Sequence, residues 1–99
     1  MILKAAVIGL GVGEQHIYGY EQENICKVVS ICDKDPEKLK EVALRHPGKK
    51  IFTDPDKILF DTSINVVSIA TYDDTHYELI EKAVMNGKHI FVEKPLCLT

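Results

Sequence analysis

Five short runs of apolar residues, many of them β-branched, alternate along the chain with segments of helical character. The runs cover residues 4–8, 27–32, 51–52, 65–70 and 89–92. Apolar runs of this length are typical of strands that are buried on both faces of a parallel sheet. Because strands that alternate with helices require βαβ units, the sequence predicts a doubly wound parallel α/β fold with helices on both faces of the sheet.

Capping residues mark two of the intervening helices. Asp35, Pro36 and Glu37 supply an N-cap, a proline at the first helical position and an acid in the first turn. We expect this helix to end at residues 47–48, a Pro-Gly pair. Residues 53–55, Thr-Asp-Pro, are expected to open a short helix that carries Ile58 and Leu59.

The other two helices carry weaker signals. We expect one from residue 13 to about residue 24, although Gly19 lowers its helix propensity. The last helix is expected to begin at a cap supplied by Asp73 or Asp74 and to end at Gly87. Its predicted apolar face comprises Tyr77, Ile80, Ala83 and Val84.

Composition and charge exclude several classes of protein. The chain has 99 residues, of which 45% are hydrophobic, and it contains no repeat or linker, so residues 1–99 are treated as one domain. A net charge of −3 argues against nucleic acid or anionic lipid as a partner. No run approaches the roughly 20 apolar residues of a membrane span. Glycines interrupt the amino-terminal run, which argues against a signal peptide.

The cysteines carry information about compartment. Cys26, Cys32 and Cys97 are odd in number and lack Cys-x-x-Cys spacing. This pattern predicts reduced thiols of a cytoplasmic protein, with neither a disulfide framework nor a bound metal.

A glycine-rich loop lies between the first strand and the first helix, which is the context that a dinucleotide loop requires. In this loop Gly9 permits a tight turn, Gly11 lets the backbone approach a pyrophosphate, and Gly13 lets helix and strand pack closely. Free amides at the helix N-terminus, that of Val12 among them, then receive the anion. Glu14 occupies the position of the usual third glycine, so we expect a loop one residue shorter, with Glu14 turned to solvent.

The sequence pattern Gly-x-Gly-x-Gly also occurs in methyltransferases that use S-adenosylmethionine. Those proteins usually carry an acid on the first strand, about two residues before the first glycine. Here that position is Val7, which disfavours a methyltransferase.

An acid follows the second strand at the spacing expected for a residue that binds the adenosine ribose. This residue is Asp33, 24 positions after Gly9. Its charge disfavours a 2′-phosphate and therefore favours NAD, whereas Lys34 beside it leaves NADP open.

Two further segments follow strands and belong to the same edge of the sheet. After the fourth strand, Ala70, Thr71 and Tyr72 are predicted to line the cofactor cleft, and His76 faces either the cleft or solvent. After the fifth strand come Glu93, Lys94 and Pro95. A lysine beside a nicotinamide would have its ammonium form disfavoured, and it could orient a substrate hydroxyl or share its proton.

The chain resembles the glucose–fructose oxidoreductase/inositol 2-dehydrogenase family, often called Gfo/Idh/MocA. The matching runs are AVIGLGVGEQH, VVSICDKDPEK, NVVSIATYDDTH and NGKHIFVEKPL, and together they span nearly the whole sequence. It departs from the family in the short glycine loop with Glu14, and in Tyr72, where many members have proline.

The resemblance implies an NAD(P)-binding Rossmann domain that precedes a second domain with the substrate pocket, most of the oligomer interface and usually a catalytic histidine. It also implies that Lys94 is the catalytic lysine, supported by Glu93 and Pro95. Residues 9, 11, 12 and 13 match the phosphate loop and Asp33 the ribose carboxylate, while Thr71, Tyr72 and His76 match the loop beside the nicotinamide. We therefore expect the chain to be a fragment that binds dinucleotide weakly and turns over no sugar.

Two functions are compatible with these features. The first is the cofactor half of an NAD(P)-dependent oxidoreductase acting on a secondary alcohol or ketone of a sugar, cyclitol or nucleotide-sugar. The second is a non-catalytic dinucleotide sensor on the same fold. Because sensing NAD does not require Lys94, its presence favours the enzyme.

Overall fold

Five parallel strands form a single sheet in the order β3-β2-β1-β4-β5 in the computed structural model, which describes residues 3–11, 13–21, 26–70 and 75–92. The strands are β1 Leu3–Ile8, β2 Cys26–Cys32, β3 Lys50–Phe52, β4 Val66–Ile69 and β5 His89–Val92. Each neighbouring pair is parallel. The predicted doubly wound sheet is therefore confirmed, and its strands agree with the predicted runs to within one residue at each end.

Within the described ranges, four helices lie between the strands: α1 Glu14–Glu21, α2 Pro36–Arg45, α3 Asp56–Leu59 and α4 Thr75–Met85. The predicted cap of α2 is present, because the Asp35 carboxylate accepts a hydrogen bond from the Glu37 amide at 3.0 Å. Asp54 similarly accepts from the amide of Asp56 at 3.0 Å, just before α3. Residues 22–24 of the predicted first helix, and the proposed caps Asp73 and Asp74, lie outside the described residues.

The helices cover the two faces of the sheet in pairs, and each face has its own apolar core. On one face, Ile17 of α1 and Val42 of α2 pack with Val7 of β1 and with their neighbours. On the other face, Leu59 of α3 and Leu79 of α4 complete the second core. This division places α1 and the loop before it against the central strand β1.

The predicted apolar face of α4 is partly wrong. Ala83 is buried and Ile80 packs against the core, but Tyr77 is 69% exposed and Val84 60% exposed. Leu79, which was not predicted, is buried and lies one turn before Ala83. Because residues advance by about 100° around a helix, Tyr77 projects roughly opposite Leu79.

Cys26 and Cys32 are free thiols, and burial raises the pKa of Cys32 to about 12. Cys97 lies outside the described residues. Within the described ranges, no helix has both the length and the apolar character needed to cross a membrane.

Candidate functional site

The carboxyl ends of the parallel strands meet at one edge of the sheet, and the four predicted segments follow β1, β2, β4 and β5 in the sequence. The chain proceeds from β1 to β2 on one side, whereas β4 pairs with β1 on the other. The strand order therefore reverses beside β1, and ligands of open α/β sheets bind at such a point.

The glycine loop makes the turn that its sequence predicts. Gly9 has a φ of 91°, a left-handed conformation that favours glycine, and its amide donates to the Cys32 carbonyl at 2.9 Å. A Cβ atom on Gly13 would lie 1.8 Å from the Gly9 carbonyl oxygen, so only glycine allows α1 to begin this close to β1. The tight turn and the close packing predicted for these two glycines are confirmed.

Gly11 differs from Gly13 because it faces open space. A Cβ atom built there would have no atom within 4 Å, and the residue is exposed. A phosphate can therefore approach the backbone at this point, next to the N-terminus of α1, where a helix presents amides to an anion. Val12 lies outside the described residues.

The Asp33 carboxylate is bonded directly to the glycine loop. Its Oδ2 atom accepts from the Leu10 amide at 2.8 Å, and its Oδ1 atom accepts from the Asp35 amide at 2.9 Å. Each oxygen retains a lone pair that could accept from a ligand hydroxyl. The spacing of the sequence predicted an acid near this loop but gave no sign of the bond to Leu10. Lys34 beside it is exposed.

The expectation that Glu14 turns to solvent is wrong. Arg45 donates from Nε to Glu14 Oε2 at 2.7 Å and from Nη2 to Oε1 at 2.9 Å. The His46 Nε2 atom lies 3.2 Å from Oε2. The Glu14 side chain is only 15% exposed, and the hydrogen bond from Arg45 is the main cause that lowers its pKa below the usual value. The carboxylate is held against α2 because that helix ends beside the start of α1.

The backbone that follows β4 is tied to the end of β1. Ala70 is buried, and its amide donates to the Ile8 carbonyl at 2.9 Å, one residue before the glycine loop. The predicted residues Thr71 and Tyr72 lie outside the described residues, as does the side chain of His76, whose backbone is in the first turn of α4. Glu93, Lys94 and Pro95 follow the end of β5 and also lie outside the described residues.

A buried polar contact between α1 and β4 was not predicted. The Nδ1 atom of His16 contacts the hydroxyl of Ser68, which is fully buried. A cavity of about 270 Å³ lies along this flank of α1, lined by Gln15, His16, Gly19 and Tyr20. Burial raises the pKa of Tyr20 to about 12. The sequence gave little signal of the contact, because Ser68 lies within an apolar run and His16 within a helix.

The fold and this edge together define a dinucleotide-binding Rossmann domain. The open space at Gly11, the N-terminus of α1 and a carboxylate after β2 fit the pyrophosphate and ribose of NAD. Residues 3–99 match the Gfo/Idh/MocA family, described as an oxidoreductase family with an NAD-binding Rossmann fold. The chain belongs to this family and is an NAD-binding domain.

Curated relatives of the chain include dehydrogenases of cyclitols. The chain is 38% identical over 103 residues to scyllo-inositol 2-dehydrogenase (NAD(+)) of Bacillus subtilis, an alignment that covers 98% of this chain and 29% of the relative. It is 29% identical to myo-inositol 2-dehydrogenase of Thermotoga maritima, with 97% and 29% covered. The chain thus spans less than a third of the length of these relatives.

Solved structures agree with this assignment. Myo-inositol dehydrogenase of Lactobacillus casei, crystallised with NAD(H) and myo-inositol, matches with a TM-score of 0.86 and 31% identity. That match covers 97% of this chain and 29% of the enzyme. Levoglucosan dehydrogenase in complex with NADH and L-sorbose matches with a TM-score of 0.84 and 32% identity, with 95% and 27% covered.

Proposed function

We propose that the protein carrying this chain is an NAD-dependent dehydrogenase that oxidises a secondary alcohol of a cyclitol, sugar or nucleotide-sugar, or reduces the corresponding ketone. The main support for the proposal is the hydrogen bond from the Leu10 amide to Asp33, which joins the predicted ribose carboxylate to the predicted phosphate loop. The named substrates of relatives, among them inositols and D-apiose, indicate the substrate class.

The cofactor would lie across the carboxyl edge of the sheet. Its pyrophosphate would bind the backbone of Gly9, Gly11, Val12 and Gly13, at the N-terminus of α1. Its adenosine ribose would donate hydroxyl hydrogen bonds to Asp33. The negative charge of Asp33 favours NAD over NADP, because a 2′-phosphate would meet a carboxylate, although Lys34 next to it would soften that repulsion.

The nicotinamide would lie between the segments that follow β4 and β5. Ala70, Thr71, Tyr72 and His76 would line its side of the cleft. Lys94 would orient or deprotonate the substrate hydroxyl, with Glu93 and Pro95 fixing its position. When bound, NAD supplies the hydride acceptor, so the task of these residues is to position the substrate and to move a proton.

The proposal extends to the domains, the oligomer interface and the compartment of the whole protein. Residues 1–99 form one cofactor-binding domain, and the family arrangement supplies a second domain with the substrate pocket and a homo-oligomer interface. The reduced cysteines and the low net charge support a cytoplasmic protein without nucleic acid or membrane partners.

Titration calorimetry of the chain with NAD, NADP and S-adenosylmethionine tests the cofactor assignment. We expect binding to NAD, weaker binding to NADP and none to S-adenosylmethionine. Binding to S-adenosylmethionine alone would contradict the proposal and favour a methyltransferase.

A panel of inositols and sugars tests the reaction, with the whole natural protein and NAD, by following the absorbance of reduced nicotinamide. We expect turnover of at least one polyol, and a Lys94→Ala variant should lose most of that turnover while still binding NAD. Tight NAD binding without turnover of any substrate would favour a dinucleotide sensor.

A further inference from the structure

Glu14 is the first residue of α1, the helix whose N-terminus faces the proposed pyrophosphate position. A carboxylate in the first turn stabilises a helix through the helix dipole. However, it also competes with any bound anion, because it can accept hydrogen bonds from the same free amides. A chain that binds NAD at this helix therefore needs interactions that keep the Glu14 carboxylate away from those amides.

The neighbouring helix α2 provides such interactions. Arg45, the last residue of α2, donates two parallel hydrogen bonds to the two oxygens of Glu14, at 2.7 and 2.9 Å. Bidentate pairing of this kind fixes the direction of a carboxylate as well as its charge. His46 contacts the same carboxylate at 3.2 Å and also packs edge-on against Tyr18, one turn further along α1. The carboxylate is thus held by residues at the end of α2.

We propose that Arg45 is a positioning residue for NAD binding: by pairing with Glu14, it keeps that carboxylate from occupying or repelling the pyrophosphate site. The inference rests on the proposed binding of the pyrophosphate at α1. It assigns a cofactor role to a residue 31 positions from Glu14 in sequence, at the end of the neighbouring helix.

A double-mutant cycle in the chain tests the inference, with NAD affinity measured by calorimetry. Arg45→Met should weaken NAD binding roughly two- to fivefold, the range expected for one charge at a helix terminus. Glu14→Gln combined with Arg45→Met should restore the original affinity. The loss should shrink at high salt, because partly exposed charges are screened. Lys40→Ala, which removes an exposed cation from the same helix, should leave the affinity unchanged.

The double-mutant cycle distinguishes the proposed role of Arg45 from a role as a cation that attracts NAD directly. If Arg45 acts only as a cation that attracts NAD, Arg45→Met will weaken binding equally in the Glu14→Gln background, and the inference is overturned. Unchanged affinity in Arg45→Met, with a thermal unfolding midpoint that shows a folded chain, also overturns it. Absence of NAD and pyrophosphate binding in the unaltered chain would instead remove the anion site itself. Should Arg45→Met fail to fold, Arg45→Lys provides a second comparison, because it keeps the charge but loses the bidentate geometry. A loss of NAD affinity that Glu14→Gln reverses would support the inference, and unchanged affinity would overturn it.

Discussion

The Oδ2 atom of Asp33 accepts a hydrogen bond from the backbone amide of Leu10 at 2.8 Å, which links the end of β2 to the loop that follows β1. The same carboxylate accepts from the Asp35 amide at 2.9 Å, close to the start of α2. A residue predicted to bind a ribose therefore also fixes the shape of the glycine loop. Substitution of Asp33 is expected to affect both properties.

Asp33→Asn replaces one carboxylate oxygen with an NH₂ group, which cannot accept from an amide or a ribose hydroxyl. We expect a loss of NAD affinity of roughly 10- to 100-fold, equivalent to the 1.5–3 kcal/mol of a hydrogen bond to a charged group, and a smaller loss of stability. Calorimetry and urea unfolding measure the two effects.

Asp61→Asn is a matched control for this variant. Asp61 also accepts from an amide two residues further on, that of Ser63 at 2.9 Å, but it lies before β4, at the opposite edge of the sheet. It should change stability without changing NAD affinity. Equal effects of the two substitutions on affinity would contradict the ribose role of Asp33.

Two glycines of the loop should respond differently to the same substitution. Gly13→Ala places a methyl group 1.8 Å from the Gly9 carbonyl oxygen, so α1 must shift, at a cost of about 2–4 kcal/mol of unfolding free energy. Gly11→Ala meets open space and should change stability by less than about 0.5 kcal/mol. It should nevertheless weaken NAD binding, because its methyl group occupies the space of the pyrophosphate. Urea unfolding and calorimetry of both variants check this contrast, which fails if Gly11→Ala binds NAD normally.

Acid should weaken the contact between α1 and α2. The hydrogen bond from Arg45 lowers the pKa of Glu14 below its usual value of 4.5 in the folded chain. The stabilisation is therefore fully present above pH 4.5 and is lost as the pH falls through the folded pKa. Urea unfolding from pH 6 downward should show this loss in the unaltered chain, and the difference from Glu14→Gln should disappear below the folded pKa. A constant difference would show that Glu14 stabilises the chain by packing alone.

The sequence predicted the elements of this fold well because local signals and topology agree. The cap at Asp35, the apolar strands and the turn at Gly9 are each indicated by residues adjacent in sequence, and each is present. Glu14 was placed wrongly because its partner Arg45 comes from another βαβ unit, and no sequence spacing reports how two helices approach each other. The contact between His16 and Ser68 was missed for the same reason.

The helix α4 shows a different limit. Tyr77 and Val84 are apolar enough to suggest a buried face, yet both are exposed, because hydrophobicity alone does not fix which side of a short helix meets the sheet. The roles of Glu93, Lys94 and Pro95 were inferred from the sequence alone and stay predictions.

A rise in pH should change the contributions of Lys88 and Lys82 to the free energy of unfolding differently. Lys88 is buried just before β5 and donates to the carbonyls of Asp61 at 2.6 Å and Ile64 at 2.9 Å. Burial lowers its pKa below 10.5 in the folded chain, so the unfolded chain binds the proton more tightly. The free energy of unfolding should therefore rise, relative to a Lys88→Met variant, as the pH increases from the folded pKa toward 10.5. Lys88→Met itself should cost about 1–3 kcal/mol near neutral pH, because two carbonyls lose their donor.

The pKa of Lys82 is shifted in the opposite direction to that of Lys88. Its ammonium donates to Asp56 at 2.9 Å and lies 3.2 Å from Glu78, and the bond to Asp56 is the main cause that raises its pKa above 10.5. Its contribution is therefore fully present below pH 10.5 and is lost only above it. In urea unfolding between pH 7 and 10, the difference between the unaltered chain and Lys82→Met should stay constant, while the difference for Lys88→Met grows. Parallel curves for the two variants would contradict a lowered pKa of Lys88 in the folded chain.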